Sequence, residues 1–453
     1  MKRTSGWPPL HSVIPSILFG WFLLNSLPAL SQEITWDDAL KTGSEALQRG
    51  EYEEAERYLE IAVRKAQIFP PGDERLQISL HNLGAAYFEH GKFAQAGALW
   101  TSWIKTYEAT LGPEHYIVPI TLDNLATVYM AEGRFAEAEA TYKRSIELGK
   151  RIAGPEHPRV AGSIANLGTL YAQQGRYAEA QPLLEQAVAA WDKAFGPDNY
   201  ESGRAIANLA AIYAKDGEWG KAADLYEKSI RIQEKQYGPE HPGIAATLAN
   251  LATAYQTQGK WREAEQAAVR SQAIREKTLG PDHPQNIIGL NNLAMIRHAQ
   301  GKDAAVDEDL SRARAIAERV LGPEHLDLAM VLDSQGTVAT DKGQLDEAEK
   351  LLKRALAIRE KALGPNHELV AESLENLAKV EVAEEQFAQA DGHLREALAI
   401  LEKATKPENP DFAFALVRYA VLYRKMHYDR EAEDLEARAR ALHDKPRAAP
   451  PSP

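Results

Sequence analysis

Between Glu33 and His443, apolar residues recur at the three-and-four spacing of an amphipathic helix, and the pattern restarts every 42 residues. Residues 120–161 show one complete unit. Leu122, Leu125, Ala126 and Tyr129 lay down one apolar stripe, and Gly133 ends that helix as glycine does at a C-terminal cap. Phe135, Ala138, Tyr142, Ser145 and Ile146 lay down a second stripe. Gly154-Pro155 stops it, because proline cannot continue a helix. Pro158 sits near the next helix start, where its missing N–H is harmless. Each unit therefore reads as a helical hairpin.

The landmarks persist along the chain. Turn glycines stand at Gly91, Gly133, Gly175, Gly217, Gly259, Gly301 and Gly343, and second-helix alanines at Ala96, Ala138, Ala180, Ala222, Ala264, Ala348 and Ala390. Aromatics follow the turn at Phe93, Phe135, Tyr177, Trp219, Trp261 and Phe387. A shorter first unit carries Gly50, Tyr52 and Ala55, and an irregular last one carries Tyr419, Tyr423 and Ala432. The expected organisation is one all-α solenoid over 33–443. Its ten units lie near 36–77, 78–119, 120–161, 162–203, 204–245, 246–287, 288–329, 330–371, 372–413 and 414–443. The Pro/Ala-rich tail 444–453 reads as disordered.

The pattern Leu–Gly/Ala–xx–Tyr followed by Gly–x–aromatic–xx–Ala resembles the tetratricopeptide repeat. The 42-residue length and the loop Leu-Gly-Pro-Glu-His-Pro resemble the kinesin-light-chain type. The resemblance implies an α-α superhelix whose first helices line a concave groove. It also implies that asparagines of the first helix contact a bound peptide.

That row is Asn82, Asn124, Asn166, Asn208, Asn250, Asn292 and Asn376, broken only at Ser334. Asparagine is a mediocre helix former, worse than alanine by about 0.6 kcal/mol, so propensity does not explain it. The residue before each drifts (His81, Asp123, Ala165, Ala207, Ala249, Asn291 and Glu375) while the amide stays. Two readings stand. The amides bridge adjacent first helices, satisfying buried polar groups, or they face the groove and hydrogen-bond a peptide backbone. Packed helices are roughly 8–10 Å apart and an extended chain rises about 3.3 Å per residue, so one amide per repeat meets about every third ligand residue. Asn166, Asn208 and Asn250 are expected at the groove centre. Some members of the family clamp a C-terminal carboxylate with first-helix cations. Here the residue three after each position of the row is Ala85, Thr127, Thr169, Ala211, Thr253, Met295, Thr337 or Lys379, and only Arg204 and Lys215 put cations on an early central first helix. Such a clamp is not expected.

Trp103 occupies a slot that is Ala or Ser in the other repeats, which implies local repacking or, alternatively, an exposed anchor for a partner. His115, His157, His241, His283, His325 and His367 share a loop slot with Asn199 and Asn409. Histidines one repeat apart cannot converge on a zinc ion whose ligands lie about 2 Å away, so a loop-capping role is expected and no metal or other cofactor. The first-helix tyrosines end after Tyr255, giving way to Arg297, Ala339 and Glu381, while Asp303 and Glu385 fall where an aromatic and a glycine are expected. Repeats seven to nine are therefore expected to pack less well, with a bend or early local unfolding there.

Composition narrows the function. The formal charge is -13, or -15 without the first 31 residues, whose only charges are Lys2 and Arg3. Nucleic acid, which needs a basic footprint, is not an expected partner. With no cysteine, disulfides, thiolate metal sites and cysteine nucleophiles are excluded. No nucleophile-elbow, phosphate-loop or His-Glu-x-x-His pattern occurs. The expectation is a non-enzymatic module that holds protein or peptide segments; the alternative is an envelope scaffold assembling through its ends or convex face. Lys2, Arg3, the apolar run Ile14 to Leu24 and Pro28-Ala29-Leu30-Ser31 read as a signal peptide over 1–31, cleaved after Ser31. That would make the protein periplasmic or secreted with no membrane insertion after cleavage; an uncleaved anchor is the alternative.

Overall fold

The computed structural model describes residues 34–69, 72–404 and 410–443. The signal-like segment 1–31, the tail 444–453 and the loop position Asn409 lie outside the described residues. The fold is all-α, of the α-α superhelix class. Twenty helices and no strand are present among the described residues.

The chain divides into two compact units, residues up to 217 and residues from 218. The first holds α1 (Trp36–Gln48), α2 (Tyr52–Ala66), α3 (Glu74–Glu89), α4 (Phe93–Thr110), α5 (Ile117–Ala131), α6 (Phe135–Ala153), α7 (Pro158–Gln173), α8 (Tyr177–Phe195) and α9 (Tyr200–Lys215). The second holds α10 (Trp219–Tyr237), α11 (Pro242–Thr257), α12 (Trp261–Leu279), α13 (Gln285–His298), α14 (Asp303–Ile316), α15 (Leu326–Asp341), α16 (Leu345–Leu363), α17 (Glu368–Ala383), α18 (Phe387–Ala404), α19 (Pro410–Lys425) and α20 (Asp429–His443). The sequence pattern placed a single solenoid here; the division falls at Gly217, the turn inside the fifth predicted unit.

The turns follow from glycine's freedom. At Gly133, φ is 73°. Arg134 N–H then reaches back to Tyr129 O at 2.8 Å and Gly133 N–H to Met130 O at 3.1 Å, closing the exposed carbonyls of α5. Glu385 adopts the same left-handed conformation, with φ 61°, and Gln386 N–H bonds Glu381 O at 2.7 Å. The turn geometry is kept without glycine, at a cost of roughly 1–2 kcal/mol.

First helices begin on a side-chain cap. His157, His241, His283, His325 and His367 each accept, through Nδ1, the backbone N–H two residues on at 3.1–3.2 Å. Asn199 Oδ1 accepts Ser202 N–H at 3.0 Å in the same slot. These histidines cap, as their loop position suggested, and Nδ1 can accept only when unprotonated. His115 differs: its Nδ1 is buried without a partner, and its ring stacks 6.5 Å from Tyr107.

Within most hairpins the second helix presents a small residue to the contact, with Val306 in that place in the seventh. Ala96, Ala138, Ala180, Ala222, Ala264, Ala348 and Ala390 are all fully buried. Two positions after the asparagine row stand Gly168, facing Ala180, and Gly336, facing Ala348. A Cβ at Gly168 would come within 3.0 Å of Leu184 and 3.3 Å of Ala180 O.

Trp103 corrects one expectation. It is 4% exposed, edge-on to Trp100 at 6.1 Å and Tyr107 at 6.4 Å, in a core with Leu76, Leu80 and Ile117. The ring is absorbed by local repacking and presents no anchor, because burying it inside the hairpin stack removes far more apolar surface from water than exposure would.

The tyrosine row ties successive repeats together. Tyr87 donates to Glu60 at 3.0 Å and Tyr171 to Glu139 at 3.0 Å; Tyr255 bonds Glu227. At two of the row's three breaks, charge replaces it, and at the third stands the buried Ala339. Arg297 reaches Glu265 at 3.1 Å and Asp309 at 2.6 Å, and Glu381 pairs with His393 at 2.9 Å. Two of the three slots expected to pack less well are thus filled by ion pairs. The irregularity of repeat seven appears instead as a π-helical turn, Ala317–Leu321, at the end of α14.

Candidate binding site on the first helices

The seven asparagines meet different fates. Asn82 Nδ2 donates to Ser44 Oγ at 3.2 Å, Asn208 Nδ2 to Thr169 Oγ1 at 2.8 Å, and Asn376 Nδ2 to Asp333 Oδ2 at 2.7 Å. Each of these three bridges to the preceding first helix. Asn250 and Asn292 are exposed. Asn166 is half-buried, and its Oδ1 lies 3.5 Å from Arg204 Nη2. Asn124 is half-buried, and its Nδ2 is fully shielded without an acceptor.

Asn124 and Asn166 share a cleft of about 230 Å³ in the first unit. Ile120, Asp123 and Asn124 come from α5; Pro158, Arg159, Gly162 and Asn166 from α7; Trp191 and Phe195 from α8; and Glu201 from α9. Trp191 is fixed by its indole N–H on Pro158 O at 3.0 Å, whereas Phe195 remains 48% exposed at the end of α8. Gly162 lines the cleft, and a Cβ added there would lie 4.0 Å from Trp191, at ordinary van der Waals distance. Of the three asparagines expected at the centre, only Asn166 lies here. Asn208 is engaged with Thr169, and Asn250 belongs to the second unit.

Asp123 is the group that the repeat pattern did not single out. Its Oδ2 accepts from Ser163 Oγ at 2.6 Å, while Oδ1 is buried with no donor. Burial pushes its pKa up to about 7; the Ser163 and Ser145 hydroxyls and the Arg159 charge oppose that shift without cancelling it. Two neighbouring residues that line the cleft therefore each hold a buried atom without a partner, a donor, Asn124 Nδ2, and an acceptor, Asp123 Oδ1. An unpaired buried polar group of this kind costs about 1–3 kcal/mol. A peptide unit carries the complementary pair, one C=O and one N–H.

The signal that would have found Asp123 lay in the column before the asparagines. Its drift hides a set of acids, Asp123, Asp333 and Glu375. Asp333 lies 3.4 Å from the buried Arg359, and Glu375 is held by Arg418 at 2.9 Å. Among the described residues no cluster of three or more His, Asp or Glu side chains stands ready for a metal ion, and no helix is long and apolar enough to cross a membrane.

The chain belongs to the tetratricopeptide repeat family. One family model, described as tetratricopeptide repeat, matches residues 117–193, 161–235, 201–277, 290–361 and 334–403, and a second of the same description matches 78–116. The repeats are of the kinesin-light-chain type. Repeats of Podosopora anserina, described as nearly identical TPR-like repeats of a kinesin light chain, are 32% identical over 46% of this chain and 99% of theirs, with a TM-score of 0.41. The apo form of RapI shares the fold at 14% identity over 81% of this chain and 98% of its own, with a TM-score of 0.58. So does the apo quorum sensor NprR from B. thuringiensis, at 13% identity over 81% and 98%, with a TM-score of 0.57. No curated protein matches the sequence. The protein is thus a protein–protein interaction module of a generally non-catalytic family.

Asp123 supplies a test of the site. Its pKa of about 7 in the folded protein lies above the ordinary ~3.9 of an unfolded aspartate. The folded chain therefore holds a proton that the unfolded chain loses, and this contribution to stability, full below pH ~3.9, is lost as pH rises through 7. Asp123→Asn is expected to raise Tm at pH 8 by an amount that shrinks towards pH 4. Equal changes at both pH values in calorimetry would contradict the assignment.

Proposed function

We propose that the protein binds an extended protein or peptide segment on the face formed by its first helices. One ligand peptide unit would be seated in the cleft of α5, α7, α8 and α9. The observation that carries this reading is that two adjacent cleft-lining residues each hold an unpartnered polar atom, Asn124 Nδ2 and Asp123 Oδ1. A ligand carbonyl accepts from Asn124 and a ligand N–H donates to Asp123, while Phe195 and Trp191 cover the neighbouring apolar group. Such contacts address the ligand's backbone and are nearly blind to its side chains. The role is binding rather than catalysis.

The chain is further read as exported, on Lys2, Arg3, the apolar run Ile14 to Leu24 and the small residues ending at Ser31. Its mature form is expected to begin at Gln32 on N-terminal sequencing. Recovery of a chain that keeps residues 1–31 would favour the anchored alternative.

The binding reading is tested with peptides selected by display on the full chain. Each net hydrogen bond contributes about 0.5–1.5 kcal/mol. Asn124→Ala with Asn166→Ala is thus expected to weaken a selected peptide about tenfold with helix content unchanged. Asn208→Ala, which breaks a bond to Thr169, should lower Tm and leave affinity within about twofold. Affinity indifferent to Asn124 and Asn166 would move the ligand off this face.

A further inference from the structure

Near the end of the second helix, one position faces the following first helix. It is filled by Gly149, Trp191, Gln233, Arg275, Ala317 and Arg359 at the 42-residue interval. Arg359 displays the complete form. It is 3% exposed, and its Nη1 donates to Ser373 Oγ at 2.6 Å and Leu369 O at 3.0 Å and lies 3.4 Å from Asp333 Oδ1. Glu372 stands 3.9 Å from Nη2. Asp333 also accepts from Asn376, so the carboxylate–guanidinium pair is closed on every side. A buried charge needs such partners.

Arg275 occupies the same position two repeats earlier, in α12, without them. The residues at the offsets of Asp333, Glu372 and Ser373 are Ala249, Ile288 and Gly289. Its side chain is half-buried and makes no hydrogen bond or ion pair among the described residues. Burial pushes the guanidinium's pKa down, with no carboxylate to offset it. A Cβ on Gly289 would come within 2.9 Å of Arg275 Nη1 and would overlap Gln272 Oε1. The guanidinium therefore lies under Gly289 as Arg359 lies against Ser373. Gln272 Oε1 is itself buried without a donor and carries no charge to compensate Arg275. Gly289 is buried, as Ser373 is, and Ile288 is exposed, as Glu372 is; the two places differ in that Ala249 is half-exposed and Asn292 exposed where Asp333 and Asn376 are buried.

We propose that this slot, between α11 and α13 over Ala249, binds a carboxylate of the partner, an Asp or Glu side chain or a C-terminus, in the place that Asp333 takes against Arg359. Asn250 and Asn292 stand at its mouth. The cation comes from a second helix, a position that comparison of the first helices does not sample. The proposal rests on the first-helix face being the binding face, but its chemistry is separate from that of the cleft around Asn124.

The probe is the capped tripeptide acetyl-Gly-Glu-Gly-amide at millimolar concentration, with acetyl-Gly-Gln-Gly-amide as control. It is followed on the Nε–H resonance of Arg275 in the full chain, assigned by its loss in Arg275→Gln. The Glu peptide should shift the resonance saturably and the Gln peptide should not. Ala249→Asp supplies the carboxylate internally. It should raise Tm and weaken the Glu peptide by about tenfold or more. Asn124→Ala should leave this titration unchanged, so the site stands even if the cleft reading fails. A wild-type resonance indifferent to the Glu peptide would overturn the proposal. So would an Ala249→Asp variant that binds the Glu peptide as wild type does.

Discussion

The short approach between the two helices of a hairpin is the constraint on which this protein depends. It is seen where Gly168 and Gly336 of first helices meet the fully buried Ala180 and Ala348 of second helices. Close-packed interiors tolerate little volume change, so these positions fix the spacing of each hairpin and the register between hairpins. Once the register is fixed, every position of the 42-residue unit forms a column. Stability is then summed between neighbouring units, and side chains in one column face the same kind of surroundings in successive repeats.

Register alone does not decide what a column does. A polar side chain in a column is bonded internally or left open according to residues about 26 to 43 positions earlier and 10 to 14 positions later, which vary freely. Asn376 finds Asp333 and Asn208 finds Thr169, but Asn124 finds nothing. Arg359 finds Asp333 and Ser373, while Arg275 faces Ala249 and Gly289. The open members of these columns are the places where a ligand can supply the missing group. On this account binding sites and structural bridges are the same positions with different neighbours. The overall charge of -13 bears on encounter and solubility; a single unpaired guanidinium sets local preference against that background.

Much of the architecture was legible from the spacing of glycine, alanine, aromatic and asparagine residues. The hairpins, the turns and the capping histidines follow from local chemistry: left-handed glycine, proline at a helix start, and an acceptor at the N-cap. The division at Gly217 was not legible, because the turn there repeats the others. Trp103 reads from sequence as an intrusion with two outcomes, and only the surrounding Trp100, Tyr107 and Leu80 decide it. The asparagine row invited one role for all seven, yet bridging and open amides coexist, because hydrogen-bond partners come from other helices. Asp123 and Arg275 were obscured for the same reason. Each sits in a column whose variation looks like drift until the partner column is placed beside it.

The most direct test is a crystal structure of the full chain with a display-selected peptide bound. The account predicts a peptide unit on the first-helix face, its carbonyl oxygen within hydrogen-bond distance of Asn124 Nδ2 and its N–H directed at Asp123 Oδ1. A peptide seated on the second helices, with Asn124 and Asp123 left as they are, would contradict it.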